Sequence, residues 1–242
     1  MQRFTAERLS PESEYGLHLT LGVAMLVIAT AVFAHLAGAM VAGAPITRLD
    51  LELAHWLHAH ARVNGGLRQF LMAVTHLHST PGILGLAALA AGCLYRRGQR
   101  YWLVALASAV PGGLILNVLL KHTFERARPH FDEPLLQLST YSFPSGHTMA
   151  ATVLYGFIAC YAARHARSWP GRVLPLVLAL AMVATVAFSR MYLGVHYLSD
   201  VLAAAVEGCG WLAICIAGAT TLDRRARARA RRAGAAVAPQ DK

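Results

Sequence analysis

Long apolar stretches, each closed by charged residues or by proline and glycine, set the rhythm of this chain. Several approach or exceed the roughly 20 residues that cross a hydrocarbon core about 30 Å thick. Their lengths and breaks predict membrane helices over residues 16–43, 67–95, 101–122, 146–165, 173–190 and 196–219. The second contains Pro81-Gly82, and the apolar run beyond that pair is too short to span alone, so a kinked helix continuing upstream is predicted. Between the first two helices, residues 46–61 place apolar side chains at helical spacing with charges between them. That pattern suits an amphipathic segment lying at the membrane interface. No internal repeat or separate soluble domain is visible. The expectation is an all-α, integral membrane bundle of six transmembrane helices: one membrane domain over 1–242, its core at about 16–219, with a basic cytoplasmic tail at 222–242.

Composition supports this reading. The chain is 56% hydrophobic and 14% charged, too little charge to coat a soluble globule of 242 residues. Its formal net charge is +10, a large part of it in the arginine run from Arg224 to Arg232. Directly after an apolar span, such a run reads as a cytoplasmic anchor drawn to anionic lipid headgroups, not as a nucleic-acid surface. Cys93, Cys160, Cys209 and Cys215 all fall inside apolar spans and form no Cys-x-x-Cys pattern, so they read as packing residues. The stretch from Gly16 to Ala44 ends in a motif resembling a signal-peptidase site. Its apolar core is far longer than a signal peptide's, and Glu7, Glu12 and Glu14 precede it, so it reads as a retained first helix.

Basic residues in short loops resist translocation and so report orientation. Arg96, Arg97 and Arg100 form one cluster, Arg164, Arg167 and Arg172 a second, and the C-terminal run a third. Six spans put all three on one side, taken as cytoplasmic, with both termini inside; Arg3 and Arg8, balanced by acids, add little. Residues 44–66, 123–145 and 190–196 then lie on the external face.

Three patterns at external helix ends carry chemistry. The first is Lys121, six residues, then Arg128-Pro129; the second is Ser142-Phe-Pro-Ser-Gly-His147; the third is Ser189-Arg190, five residues, His196, three residues, Asp200. Lys121, Arg128 and Arg190 supply positive charge, and guanidinium forks match phosphate oxygens. Ser145 and Gly146 open the fourth helix, where free amides and the dipole favour an anion, and glycine permits close approach. His196 and Asp200, four residues apart at a helix start, share one face. The carboxylate can hold one ring N–H and leave the other nitrogen free to attack phosphorus. His147, from another helix, is placed to protonate the leaving oxygen and later to activate water. The expected chemistry is cleavage of a phosphate ester through a covalent phosphohistidine. Alone, Lys121 or Arg190 would read as a snorkelling helix end; the joint set points to a site.

Together these patterns resemble the signature of the type 2 phosphatidic acid phosphatase superfamily. They match it at Lys121, Arg128, Pro129, Pro144, Ser145, Gly146, His147, Ser189, Arg190, His196 and Asp200. The resemblance implies a six-helix membrane core and metal-independent hydrolysis of a lipid monophosphate or diphosphate. It implies His196 as nucleophile, His147 as acid, and phosphate contacts from Lys121, Arg128, Ser145, Gly146 and Arg190. It also implies a bacterial inner membrane enzyme with its site on the outer face, acting on phosphatidylglycerol phosphate, phosphatidate or undecaprenyl diphosphate. Transfer of the phosphate to another acceptor, or phospholipid binding and transport without chemistry, are the alternatives; a soluble haloperoxidase branch is disfavoured by the membrane spans.

No cofactor, metal or nucleic acid is expected. His55, His58 and His60, like His76 and His78, lack accompanying carboxylate or cysteine ligands and read as interfacial decoration. His122 and His130 lie near the site without an assigned role. Glu207, two turns beyond Asp200, is expected to point into the bundle or be protonated, as a packing partner. Asn117, one turn before Lys121, reads as a partner near that lysine or a polar helix–helix contact.

Overall fold

A computed structural model describes residues 16–237, with side chains to residue 229. Arg3, Glu7, Arg8, Glu12 and Glu14, and the end of the basic tail at 238–242, lie outside the described residues. Among the described residues the regular elements are helices: α1 Leu17–Val41, α2 Pro45–Val63, α3 Gly65–Leu77, α4 Thr80–Arg96, α5 Arg100–Phe124, α6 Gly146–His165, α7 Trp169–Tyr192 and α8 Leu198–Val237.

Helices α1, α5, α7 and α8 are each long and apolar enough to cross a membrane, and α3 with α4 passes the same test as a pair bent by 60°, a broken span or a re-entrant loop. The six spans read from the sequence thus correspond to four single helices, one bent pair, and α6, which does not meet that apolar criterion. The reason lies in its place. Helix α6 packs against α5, α7 and α8, so its polar residues, including the buried Thr148 and Thr152, face protein rather than lipid. Helices α1 and α7 are the opposite case, with only 6% of their apolar windows buried.

The kink expected in the second span is a break at His78 and Ser79, directly before the proline in the first turn of α4. Proline suits a first turn, where its missing N–H has no partner to lose. Gly82 then lies against the end of α3: a Cβ there would stand 1.9 Å from the Leu77 carbonyl oxygen. Small residues allow close crossing elsewhere too, since a Cβ at Gly208 of α8 would stand 2.8 Å from that of Thr152 on α6. Around this crossing Met149, Val153 and Phe157 of α6 pack with Ala109 and Val110 of α5 and Ala204 of α8. The Trp211 indole ties α8 to α5 by donating to the Ala109 carbonyl at 2.9 Å.

At the end of α5, Glu125 adopts a left-handed conformation (φ 46°) and turns the chain into the loop over residues 126–145. The Ser142 N–H donates to the Arg126 carbonyl at 2.8 Å and closes that loop. The rings of Phe33, Phe124 and Phe143 pin it to α1 and α5, with centroids 5.1, 5.6 and 6.0 Å apart. Helix α8 does not stop near residue 219 as its apolar pattern suggests; it continues to Val237 through the alternating alanine and arginine run. Both residue types favour helix, so the basic tail extends the span instead of leaving it as coil.

Gly82→Ala should cost about 1–3 kcal/mol, the range for forcing extra atoms into a packed position, measured by thermal unfolding in detergent. Gly85→Ala, in the same helix with open space around it, should show no loss.

Candidate active site

The end of α5, the start of α6, the end of α7 and the start of α8 converge at one end of the bundle. There the His196 ring is 2% exposed and Asp200, in the first turn of α8, is fully buried. Asp200 Oδ2 accepts from the Tyr197 amide at 2.9 Å and from the Ser142 hydroxyl, and faces His196 Nδ1 at 3.3 Å. A carboxylate at a helix N-terminus is also favoured by the dipole.

The other ring nitrogen of His196 lies 3.2 Å from an Arg128 guanidinium nitrogen. Guanidinium donates and cannot accept, so Nε2 carries the lone pair and the ring proton sits on Nδ1, toward Asp200. Burial holds the His196 pKa far below the ordinary histidine value, at about 3, against the opposing pull of Asp200. The ring is therefore neutral with its Nε2 lone pair intact.

Lys121 donates to the Tyr141 carbonyl at 2.7 Å. Arg128 donates through Nε to the Thr140 carbonyl at 2.7 Å, and through its two terminal nitrogens to Val195 and Tyr141 carbonyls at 2.7 and 3.0 Å. Burial lowers the Arg128 pKa, with Asp200 opposing. Arg190, 2% exposed, donates to the Thr75 hydroxyl, and its Nε has no hydrogen-bond partner. Among the described residues, none of these three cations is in a salt bridge.

Ser145 is the N-cap of α6 and Gly146 its first residue. The Ser145 amide is already engaged by the Asp200 carbonyl at 3.1 Å, so the unpaired first-turn amides available to an anion begin at Gly146. His147 follows, half-buried, within electrostatic reach of Arg190, His196, His78 and Arg128. The structure thus brings together Lys121, Arg128, Ser145, Gly146, His147, Arg190, His196 and Asp200. Ser189 of the third pattern turns away, its hydroxyl donating to the Val186 carbonyl of its own helix at 2.7 Å.

Four participants escaped the sequence reading. Arg126 donates to Asp200 Oδ1, to the Ser199 hydroxyl at 2.7 Å and to Asp50 of α2 at 2.8 Å. Asp50 is fully buried and also accepts from the Ser199 amide at 2.9 Å. Burial opposes the charge of Arg126, yet Asp200 and Asp50 hold its pKa above the ordinary arginine value. Thr75, at the bend, is the partner of Arg190. Only Arg126, a third cation between Lys121 and Arg128, left a visible trace.

The remaining polar residues settle into packing contacts. Asn117 donates to Glu207 Oε2 at 3.0 Å, a polar contact between α5 and α8. His58 stacks on Phe131 with centroids 3.9 Å apart. His60 and His76 bond carbonyls one turn back, and His78 bonds the Val74 carbonyl and the Tyr155 hydroxyl. The His122 ring lies edge-on to Tyr141.

Between the unfolded histidine value near 6.5 and the folded value of about 3, the unfolded chain binds a proton that the folded chain refuses at His196. Stability therefore falls as pH drops through that window. Wild type should lose stability more steeply than His196→Gln below pH about 6.5, by up to one proton, or about 1.4 kcal/mol per pH unit, in detergent unfolding titrations.

Comparison with known proteins places this arrangement. The sequence profile of the PAP2 superfamily matches residues 100–224. Phosphatidylglycerophosphatase B of Bacillus subtilis is 35% identical over 139 residues, covering 56% of this chain and 67% of that protein. Decaprenylphosphoryl-5-phosphoribose phosphatase of Mycobacterium tuberculosis is 38% identical over 132 residues, covering 52% of this chain and 66% of that protein. The crystal structure of a transmembrane PAP2 type phosphatidylglycerolphosphate phosphatase from Bacillus subtilis aligns with TM-score 0.65 and 28% identity, over 78% of this chain and 93% of that one. The profile match encloses every patterned residue from Lys121 to Asp200, and the solved relative shares the helical membrane architecture that carries them. This integral membrane chain belongs to the PAP2 superfamily.

Proposed function

We propose that the protein hydrolyses a lipid phosphate or diphosphate at the non-cytoplasmic face of a bacterial inner membrane, through a phosphohistidine at His196. One observation carries the reading: Arg128 and Arg190 act on a neutral buried imidazole, Lys121 lies within electrostatic reach of both, and among the described residues none of the three is in a salt bridge. Buried cations without counter-charge are costly unless an anion completes the site.

In this mechanism the phosphate takes donors from Lys121, Arg128, Arg190 and the first-turn amides of α6. Arg128 releases His196 Nε2, whose lone pair attacks phosphorus while Nδ1 keeps its proton against Asp200. His147 protonates the leaving oxygen as the P–O bond breaks. The same residue then takes a proton from water, which attacks the phosphohistidine, frees inorganic phosphate and restores neutral His196. No step requires a metal. Orientation follows the arginine clusters, with α6 as the sixth crossing and both termini cytoplasmic. Acyl or prenyl tails then remain in hydrocarbon while the headgroup enters. A cavity of about 460 Å³ lined by Arg128, His130, Phe131, Asp132, Gln137 and Gly194 adjoins the site and offers room for that headgroup.

Phosphate release from phosphatidate, phosphatidylglycerol phosphate and undecaprenyl diphosphate in detergent tests the reading. Turnover of at least one should fall about 10⁴-fold or more in His196→Ala, as for loss of other triad members, and about 10²–10⁴-fold in His147→Ala. Activity retained by His196→Ala would overturn the mechanism. Wild-type turnover should also survive EDTA; abolition by EDTA with rescue by a divalent ion would refute the metal-free route.

A further inference from the structure

Resting on the assignment of His196 and Asp200 above, we propose that Asp50 and Arg126 are positioning residues for the reaction. Through them helix α2 is locked to the carboxylate that orients His196, and they give the buried cluster the net negative charge that phosphorylation of the imidazole requires.

The geometry is that of a built relay. Asp50 is fully buried although it sits on a helix whose other face exposes Leu49, Leu51 and Trp56. Its two carboxylate oxygens accept from the Ser199 amide at 2.9 Å, the Ser199 hydroxyl, and Arg126 at 2.8 Å. The second arm of Arg126 reaches Ser199 at 2.7 Å and Asp200 Oδ1. The guanidinium carbon lies 4.2 Å from the centroid of the Tyr197 ring, a cation–π contact that fixes its plane. The Arg126 carbonyl meanwhile receives the amide of Ser142, whose hydroxyl donates to Asp200 Oδ2. Every hydrogen bond to the carboxylate except that from Tyr197 and His196 therefore depends on Arg126 or its loop.

Charge decides between a brace and a functional relay. Asp50, Arg126 and Asp200 together carry one net negative charge. When Nε2 bonds phosphorus and Nδ1 keeps its proton, the ring acquires a formal positive charge. The relay then becomes neutral overall in a place that water does not reach. Without Asp50 the Arg126–Asp200 pair is already neutral, and the forming positive ring has no uncompensated carboxylate. Arg126 differs here from Lys121, Arg128 and Arg190: it is the arginine in this group paired with carboxylates, and it is not free to bind substrate.

The test compares Asp50→Asn, Arg126→Met and the double variant with wild type on the lipid phosphate that wild type turns over, using material that is monodisperse and helical. Asp50→Asn should lower kcat roughly 10- to 100-fold, by analogy with the loss of outer partners that orient metal-bound histidines, with KM little changed. Arg126→Met leaves two buried carboxylates facing each other and should fall further. The double variant restores one net negative charge and should recover activity relative to Arg126→Met alone, whereas losses from a mere brace would add. A wild-type kcat in Asp50→Asn, or a double variant worse than both singles, would overturn the inference. Absence of turnover by wild type itself across the lipid panel would instead count against the phosphatase reading.

Discussion

A charged side chain withdrawn from water needs a partner, and the cations at this end of the bundle meet that need in two ways. Arg126 is held by two carboxylates. Lys121, Arg128 and Arg190 are held by neutral groups among the described residues, carbonyl and hydroxyl oxygens and, for Arg128, the His196 ring nitrogen. A carbonyl satisfies the hydrogen bond without neutralising the charge, so the field of those three residues remains available to an incoming anion. Burial is the main reason His196 is neutral, and the charges of Arg128 and Arg190 add to it against the pull of Asp200.

Parts of the chain outside the family signature finish the site. The bend between α3 and α4 presents Thr75 to Arg190 and His78 within reach of His147. Helix α2 presents Asp50 to Arg126. Thr75 in the last turn of α3 and His78 at its C-terminal cap both stand just before the break at Ser79, where Gly82 lets α4 start close against the end of α3. Helix α2 buries Asp50 beside Ala54, Leu57 and Ala61 and exposes Leu49, Leu51 and Trp56, so it offers apolar side chains to a membrane boundary while one acid reaches the site.

Much of this was legible from residue order because helices leave local signatures. Apolar length placed the spans, the Pro81-Gly82 pair marked the bend, and the spacing of His196 and Asp200 put them on one face. The apolar signal is weakest at α6, whose bounds match the reading of 146–165 but which falls short of the apolar criterion for a span and packs against α5, α7 and α8. It misled at α8, where alanine and arginine carry the helix on after hydrophobicity ends. Asp50, Ser199 and Thr75 were invisible for a different reason. Asp50 and Arg126 are 76 positions apart, and Thr75 and Arg190 are 115 apart; no periodicity links such pairs, and a lone aspartate on an amphipathic helix looks like its solvated face.

The saturation of Arg128 connects folding to reaction. Guanidinium has five N–H groups, and here they meet Thr140 twice, Tyr141, Val195 and His196 Nε2. Four of those contacts go to oxygens of the loop and of Val195, the two to Thr140 exposed and those to Tyr141 and Val195 partly buried. The fifth, to the imidazole at 3.2 Å, is the longest, and its loss, like that of the exposed Thr140 hydroxyl contact, strands no buried backbone group. A phosphate oxygen competing for Arg128 therefore displaces the imidazole contact first. That single exchange places a donor on the phosphate and uncovers the nucleophilic lone pair beside it, so His196 is unmasked when the group it attacks has arrived.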